Sequence, residues 1–241
     1  MRLSSRIPIG GALAFTLVMA VGATSPKPPP PESGAPESIE STARVPRIAI
    51  QAGHWKAAEA PDELRRIRTN GTRWESVAEW EVNLDIAERA AAQLRALGYE
   101  VDVLPAVVPP AYRADLFIAV HADGAENSAA KGYRVAASRR DRTGRGQEIA
   151  QLLSRTYGEA TGLRHLPTNT RRMTNYYAFN DRRYRHSIDP ATIGIIIETG
   201  FLTSPEDRSV IIDDPERSAN GIVAAVTAFE LTAMPDLQPG R

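Results

Sequence analysis

Three apolar runs in this chain each close on a residue that can carry charge or bind a metal. They are "IAIQAGH" ending at His54, "LFIAVH" ending at His121 and "IGIIIE" ending at Glu198. A carboxylate at the end of a buried strand costs on the order of several kcal/mol unless a charge or hydrogen-bond donor meets it. The runs alternate with amphipathic stretches. That alternation predicts an α/β fold: a single domain built on a mostly parallel, twisted sheet with helices on both faces. In open sheets of this kind, sites lie beyond the carboxyl ends of the strands. Parallel strands would therefore project His54, His121 and Glu198 at one edge.

The remaining elements follow from periodicity. A helix is expected from about Ala78 to Leu97, with Leu84, Ala87, Ala91 and Leu94 on one face and Gly98 as its stop. Strands are expected over 99–105, 114–124 and 192–201, and "GYRVAAS" at 132–138 alternates as an edge strand would. A second helix occupies 146–161. Ser204 caps a short helix with Pro205 at its first position, and a long helix runs from Pro215 towards Met234.

The N-terminus reads as an export signal. Arg2 and Arg6 precede "IPIGGALAFTLVMAVGA", an uncharged apolar run that ends in small residues. Cleavage after Ala23 is expected; the alternative is an uncleaved anchor, which would be the chain's one link to a membrane. Residues 24–45, rich in Pro, Ser and Glu, read as a linker, 46–234 as the folded domain and 235–241 as a loose tail. Lys plus Arg equal Asp plus Glu at 29 each, so overall charge gives no reason to expect a nucleic-acid partner. The chain has no cysteine. That removes disulfides, thiolate nucleophiles and a lipoprotein anchor, and leaves any metal to His, Asp or Glu.

Two histidines and a carboxylate at one edge are the makings of a metal site with an open position. The helix that opens "ESVAEWEVNL" offers a further ligand in Glu75, Glu79 or Glu81, and the residues alone do not choose among them. Glu79 also has a local explanation, because Ser76-x-x-Glu79 fits a capping box.

The order "IAIQAGH", "EWEVNLDIA", "LGYEVDVL", "LFIAVHADG" and "IIIETGFLTS" resembles the zinc-dependent N-acetylmuramoyl-L-alanine amidases of the family-3 type, over nearly all of 46–233. The resemblance implies His54, Glu79 (four before Asn83-Leu84) and His121 as zinc ligands. It implies Glu198, in "ETGF", as the catalytic base for a metal-activated water. The implied reaction cleaves the amide between N-acetylmuramic acid and the L-alanine of the stem peptide. The implied partner is peptidoglycan and the implied location is periplasmic or extracellular, at the cell wall; no protein activator is indicated. The chain departs from the family at "GHWKAAEAP", which lacks a Gly-Gly and an Asp, and at "LPAVVPP", which lacks an Arg. These departures leave the metal chemistry intact and bear on substrate contacts.

Competing readings are a zinc amidohydrolase or carboxypeptidase acting on small N-acyl amino acids or peptides, and a non-catalytic wall-binding module. The presence of all four site residues argues against the last. The basic stretch 139–186 reads either as a solvated surface or as a rim that holds anionic wall polymer through Tyr176, Tyr177 and Phe179. A lid is a further possibility for it. His165 and His186 read as surface histidines. Trp74 and Trp80 read as packing residues beside the helix start, and Trp55 as lining or underlying the cleft. The competing role for Glu198 is a structural ion pair with one of the many arginines.

Overall fold

The computed structural model describes residues 44–127 and 129–231. The expected signal segment, the tail and all but the end of the linker lie outside them. No helix among the described residues is long and apolar enough to cross a membrane.

Among the described residues, seven strands and five α-helices follow in order: β1 (Arg47–Ala52), β2 (Arg73–Trp74), β3 (Val77–Ala78), α1 (Glu79–Ala96), β4 (Glu100–Leu104), β5 (Leu116–Asp123), β6 (Arg134–Ala137), α2 (Gly146–Thr161), α3 (Arg171–Thr174), β7 (Ile193–Phe201), α4 (Pro205–Ile211) and α5 (Pro215–Ala228). The main sheet has the order β4-β1-β5-β7-β6. All its pairs are parallel except β6 with β7, which is antiparallel at the edge. The alternation in "GYRVAAS" reflects that position: an edge strand is packed unevenly, whereas β5 and β7 are near-continuous apolar runs covered on both faces.

The two faces are covered unequally. Ile48, Ile50, Ile118, Val120, Ile195 and Ile197 point to one side, where α1, α2 and α5 pack on them. Full burial of each such side chain contributes about 1.5–3 kcal/mol. α1 buries Val82, Ile86, Ala87, Ala90, Ala91 and Leu94, so its buried stripe is rotated slightly from the expected one and Leu84 sits at its margin. α2 and α5 approach closely at Gly221, where a Cβ would stand 2.8 Å from the Tyr157 backbone. The opposite face, carrying Ala49, Phe117, Ala119 and Ile196, is covered by the single-turn helix α3, short 3-10 turns at 57–59, 62–67 and 177–179, and loops. This thinner cover leaves room for a cleft at the carboxyl ends of the strands.

The helix starting at Pro205 is capped as expected: the Ser204 hydroxyl accepts from the Asp207 amide at 3.2 Å. The last helix is shorter than expected. It ends at Ala228 because Phe229 adopts extended backbone and turns inward, with the Arg145 guanidinium 4.1 Å above its ring.

Candidate metal centre and catalytic cleft

Register alone brings the strand-end residues together. His121 on β5 is paired with Glu198 on β7, and Glu198 with Arg134 on β6. These three share the thinly covered face of the sheet. A register shift between His121 and Asp123 bends the end of β5 beside them; such irregularities re-aim side chains at sheet ends. Gly53 completes the row from β1, its amide donating to the Val120 carbonyl at 2.9 Å. His54 follows in left-handed backbone, with φ of 64°. That conformation is uncommon for a residue with a side chain.

The ligand candidates converge on one oxygen. Glu79 Oε1 lies 3.3 Å from His54 Nε2 and 3.1 Å from His121 Nδ1. One ligand atom from each residue falls within 4.8 Å of the others. Glu79 heads α1, where the helix dipole favours a carboxylate. Asn83, one turn later, holds it in place: its amide nitrogen donates to Glu79 Oε1 at 3.3 Å and to the Gly53 carbonyl at 3.1 Å. The Thr72 amide donates to Glu79 Oε2 at 2.8 Å. The capping function expected of Glu79 falls to Glu81, which accepts from the Ala78 amide at 2.7 Å. Glu75 and Glu81 are exposed, whereas Glu79 is 4% exposed.

Electrostatics separate the two glutamates. Burial opposes the charge on Glu79, but hydrogen bonds and charge from His121 and His54 outweigh it and hold the carboxyl well below the usual carboxylate range. Burial, with the charges of Asp123 and Glu79, pushes Glu198 well above that range. Glu198 has no hydrogen-bond or ion-pair partner among the described residues. Arg134 stands opposite it, but its Nε turns to Asp123 Oδ2 at 3.3 Å. The structural ion pair considered for Glu198 is therefore not formed. Two imidazole nitrogens and a carboxylate oxygen gathered in one spot are the donor set that zinc takes in catalytic sites. The buried, ionised Glu79 between two imidazoles fits a cation there.

His54, Glu79, His121 and Glu198 all line one cleft of about 640 Å³. Its rim carries Arg171 and Arg172, both exposed and without a carboxylate partner among the described residues. Of the three aromatics expected at a rim, only Tyr176 lines the cleft; Tyr177 and Phe179 are buried under the thinly covered face of the sheet. "YYAF" forms a tight 3-10 turn that sends its side chains in different directions, which composition cannot reveal. Tyr176 reaches His121 Nε2 at 3.2 Å. Burial foremost holds its phenol well above the ordinary value, so it keeps its proton.

His165 is exposed, as expected. His186 is only half-exposed, because its ring nitrogen and backbone amide both bond Glu63. Trp55 and Trp74 pack at the margin of the core beneath α1, α2 and α5, whereas Trp80 is 38% exposed. Sequence reasoning passed over Gln51, Gly53, Asp123 and Arg134. The neighbours Gly53-His54 and the strand-end Asp123 were visible in the text of the sequence, but nothing marked them as parts of one site.

The model of the family described as N-acetylmuramoyl-L-alanine amidase matches residues 108–228, just over half of the 241-residue chain. That span includes His121 and Glu198. No curated protein matches the chain significantly. Among solved structures, the amidase AmiC2 of Nostoc punctiforme is similar at 20% identity, over 76% of this chain and 96% of that one, with a TM-score of 0.54. Ami1 from Mycobacterium smegmatis is similar at 15% identity over 78% and 98%, with a TM-score of 0.56. The CwlD amidase from Clostridioides difficile, solved with the GerS lipoprotein, is similar at 13% identity over 76% and 97%, with a TM-score of 0.52. At these identities the structural likeness speaks to the fold, and the family match carries the classification. The chain belongs to the N-acetylmuramoyl-L-alanine amidase family, enzymes that hydrolyse the amide joining N-acetylmuramic acid to L-alanine in peptidoglycan.

Proposed function

We propose that His54, Glu79 and His121 hold a zinc ion and that Glu198 is the general base and acid of the amidase reaction. The observation that carries this reading is the convergence of three candidate ligand atoms within 4.8 Å in the cleft that Glu198 also lines, with no hydrogen-bond or ion-pair partner among the described residues. Bound there, zinc would supply a Lewis acid that polarises the scissile carbonyl and acidifies water. The chain's own residues do the rest. Asn83, Thr72 and the Gly53 carbonyl keep Glu79 pointed at the two imidazoles. Glu198 takes a proton from the attacking water and gives it to the alanine nitrogen as the C–N bond breaks. The products are a free lactyl carboxylate on muramic acid and a stem peptide with a free amine. Arg171 and Arg172 would draw the anionic wall polymer to the rim. The substrate lies in the cell wall, so the enzyme works outside the cytoplasm, and we assign residues 1–23 as the segment that exports it.

Digestion of purified peptidoglycan, read as free stem peptide, tests the reading. Chelation should abolish release and added zinc restore it. Glu198→Ala should keep its zinc, measured by mass spectrometry, and lose about 10²–10⁴-fold in turnover. His54→Ala should lose the metal as well. Full hydrolysis by Glu198→Ala, or by the chelated enzyme, would overturn the assignment.

A further inference from the structure

We propose that Thr199 is a positioning residue whose hydroxyl sets the general base Glu198 against His121, and that Tyr157 braces it from α2. This deepens the reading of Glu198 as the base and rests on it. His121 on β5 faces Glu198 on β7, but Asp123 faces Phe201. Thr199 and Gly200 therefore span on β7 what Ala122 alone spans on β5. A slip of this kind interrupts the regular ladder, and buried backbone groups beside it still need partners. Both ends of the slip are fixed. Before it stands the His121–Glu198 pair, and after it the Asp207 carboxylate accepts from the Phe201 amide at 2.8 Å.

Between those ends, side-chain hydroxyls bind the backbone. The Thr199 hydroxyl donates to the His121 carbonyl at 2.9 Å. The Thr199 carbonyl accepts from the Tyr157 hydroxyl at 2.8 Å. A carbonyl only accepts, so the phenol commits its one proton there, and the Ser218 hydroxyl at 2.9 Å donates to the phenol oxygen. Thr199, Tyr157 and Ser218 are all fully buried, so water does not compete for these bonds. The Glu198 side chain has no partner of its own among the described residues, so its backbone decides where it stands. Thr199 follows it directly, and one hydrogen bond ties that backbone to the residue that carries a proposed metal ligand. A misplacement of about 1 Å can cost about 10²-fold in rate. Tyr157 on α2 and Ser218 on α5 lie on the helix-covered side of the sheet, away from the cleft, so they reach the reaction only through the placement of Glu198 and His121.

Thr199→Val in the full chain removes the hydroxyl and keeps the branched shape, whereas Thr199→Ser keeps the hydroxyl. Hydrolysis of purified peptidoglycan is measured per zinc-loaded molecule, with bound zinc read by mass spectrometry. Thr199→Val should lose about 10–100-fold in kcat with KM within about twofold of wild type. Its zinc affinity, by chelator competition, should stay within about fivefold of wild type, because Asn83 and Thr72 hold Glu79 independently. Thr199→Ser should keep kcat within about threefold of wild type. Tyr157→Phe leaves the ring in the core and should lower kcat by about 3–10-fold with zinc affinity unchanged. It decides the matter if Thr199→Val fails to fold, and an unchanged kcat there overturns the proposal. A folded Thr199→Val with a lower melting temperature and unchanged kcat also overturns it, since the hydroxyl would then be structural only. So does a Thr199→Ser no faster than Thr199→Val, or a loss of zinc affinity that matches the loss in kcat. Full hydrolysis by Glu198→Ala sinks the reading of the base itself, which separates that failure from this one.

Discussion

Replacing Gly53 by alanine should dismantle the proposed metal site without touching a proposed ligand. An added Cβ would stand 2.4 Å from His121 Cε1 and 2.6 Å from each ring nitrogen. Carbon contacts settle near about 3.5–4.0 Å, so either the ring or the strand has to give by about 1 Å. The ring is held between Glu79 Oε1 at 3.1 Å and the Tyr176 hydroxyl at 3.2 Å. The strand is held by the Gly53 amide on Val120 and by Asn83 on the Gly53 carbonyl. Overpacking of this kind destabilises by about 1–3 kcal/mol. Metal–ligand distances tolerate only about 0.2 Å, so a 1 Å retreat takes His121 out of the ligand set. Zinc affinity should then fall by more than about 100-fold, beyond the loss expected for an outer partner. Chelator competition and a thermal melt on the same preparation measure both effects. A folded Gly53→Ala that binds zinc within about tenfold of wild type would refute the packing reasoning.

Glu198 should make the metal-free protein sensitive to pH in a direction opposite to most carboxylates. Burial and the charges of Asp123 and Glu79 raise it, against the opposing charge of Arg134. Between the ordinary carboxylate value, about 4.3, and the raised one, the folded protein holds a proton that the unfolded chain has released. Stability from this group therefore falls as pH rises through that window. Denaturant titrations of metal-free Glu198→Gln should lack this decline, and identical pH profiles for variant and wild type would count against it. Arg171→Ala with Arg172→Ala should raise KM on purified wall by a few-fold with little change in kcat, since exposed charge pairs contribute about 0.2–1 kcal/mol each. The increase should be larger at low salt, and a kcat loss without a KM change would contradict a rim role.

Much of the candidate site was legible because burial leaves a local trace. Near-continuous apolar runs that end in His121 and Glu198 can hardly be anything but central strands, and the strand rule for open sheets sends their ends to one edge. The short elements were not legible. The ribbon β2–β3 and the turns at 57–59 and 62–67 span two to six residues each, too few for a period to show. Yet the turns, with α3, form the thin cover that creates the cleft.

The sequence alone determined the strand and helix order, the absence of thiol chemistry and the placement of His54, His121 and Glu198 at strand ends. These depend on neighbours within a few residues. Tertiary structure decided which of three glutamates is buried beside the histidines, which of three aromatics meets His121, and why residue 53 has no side chain. Glu79 and His121 are 42 residues apart in the chain, and Gln51 and Tyr176 are 125 apart. Contacts over such separations follow from the closed geometry of the whole sheet and its cover, because no local propensity fixes a distance between segments that meet only when folded.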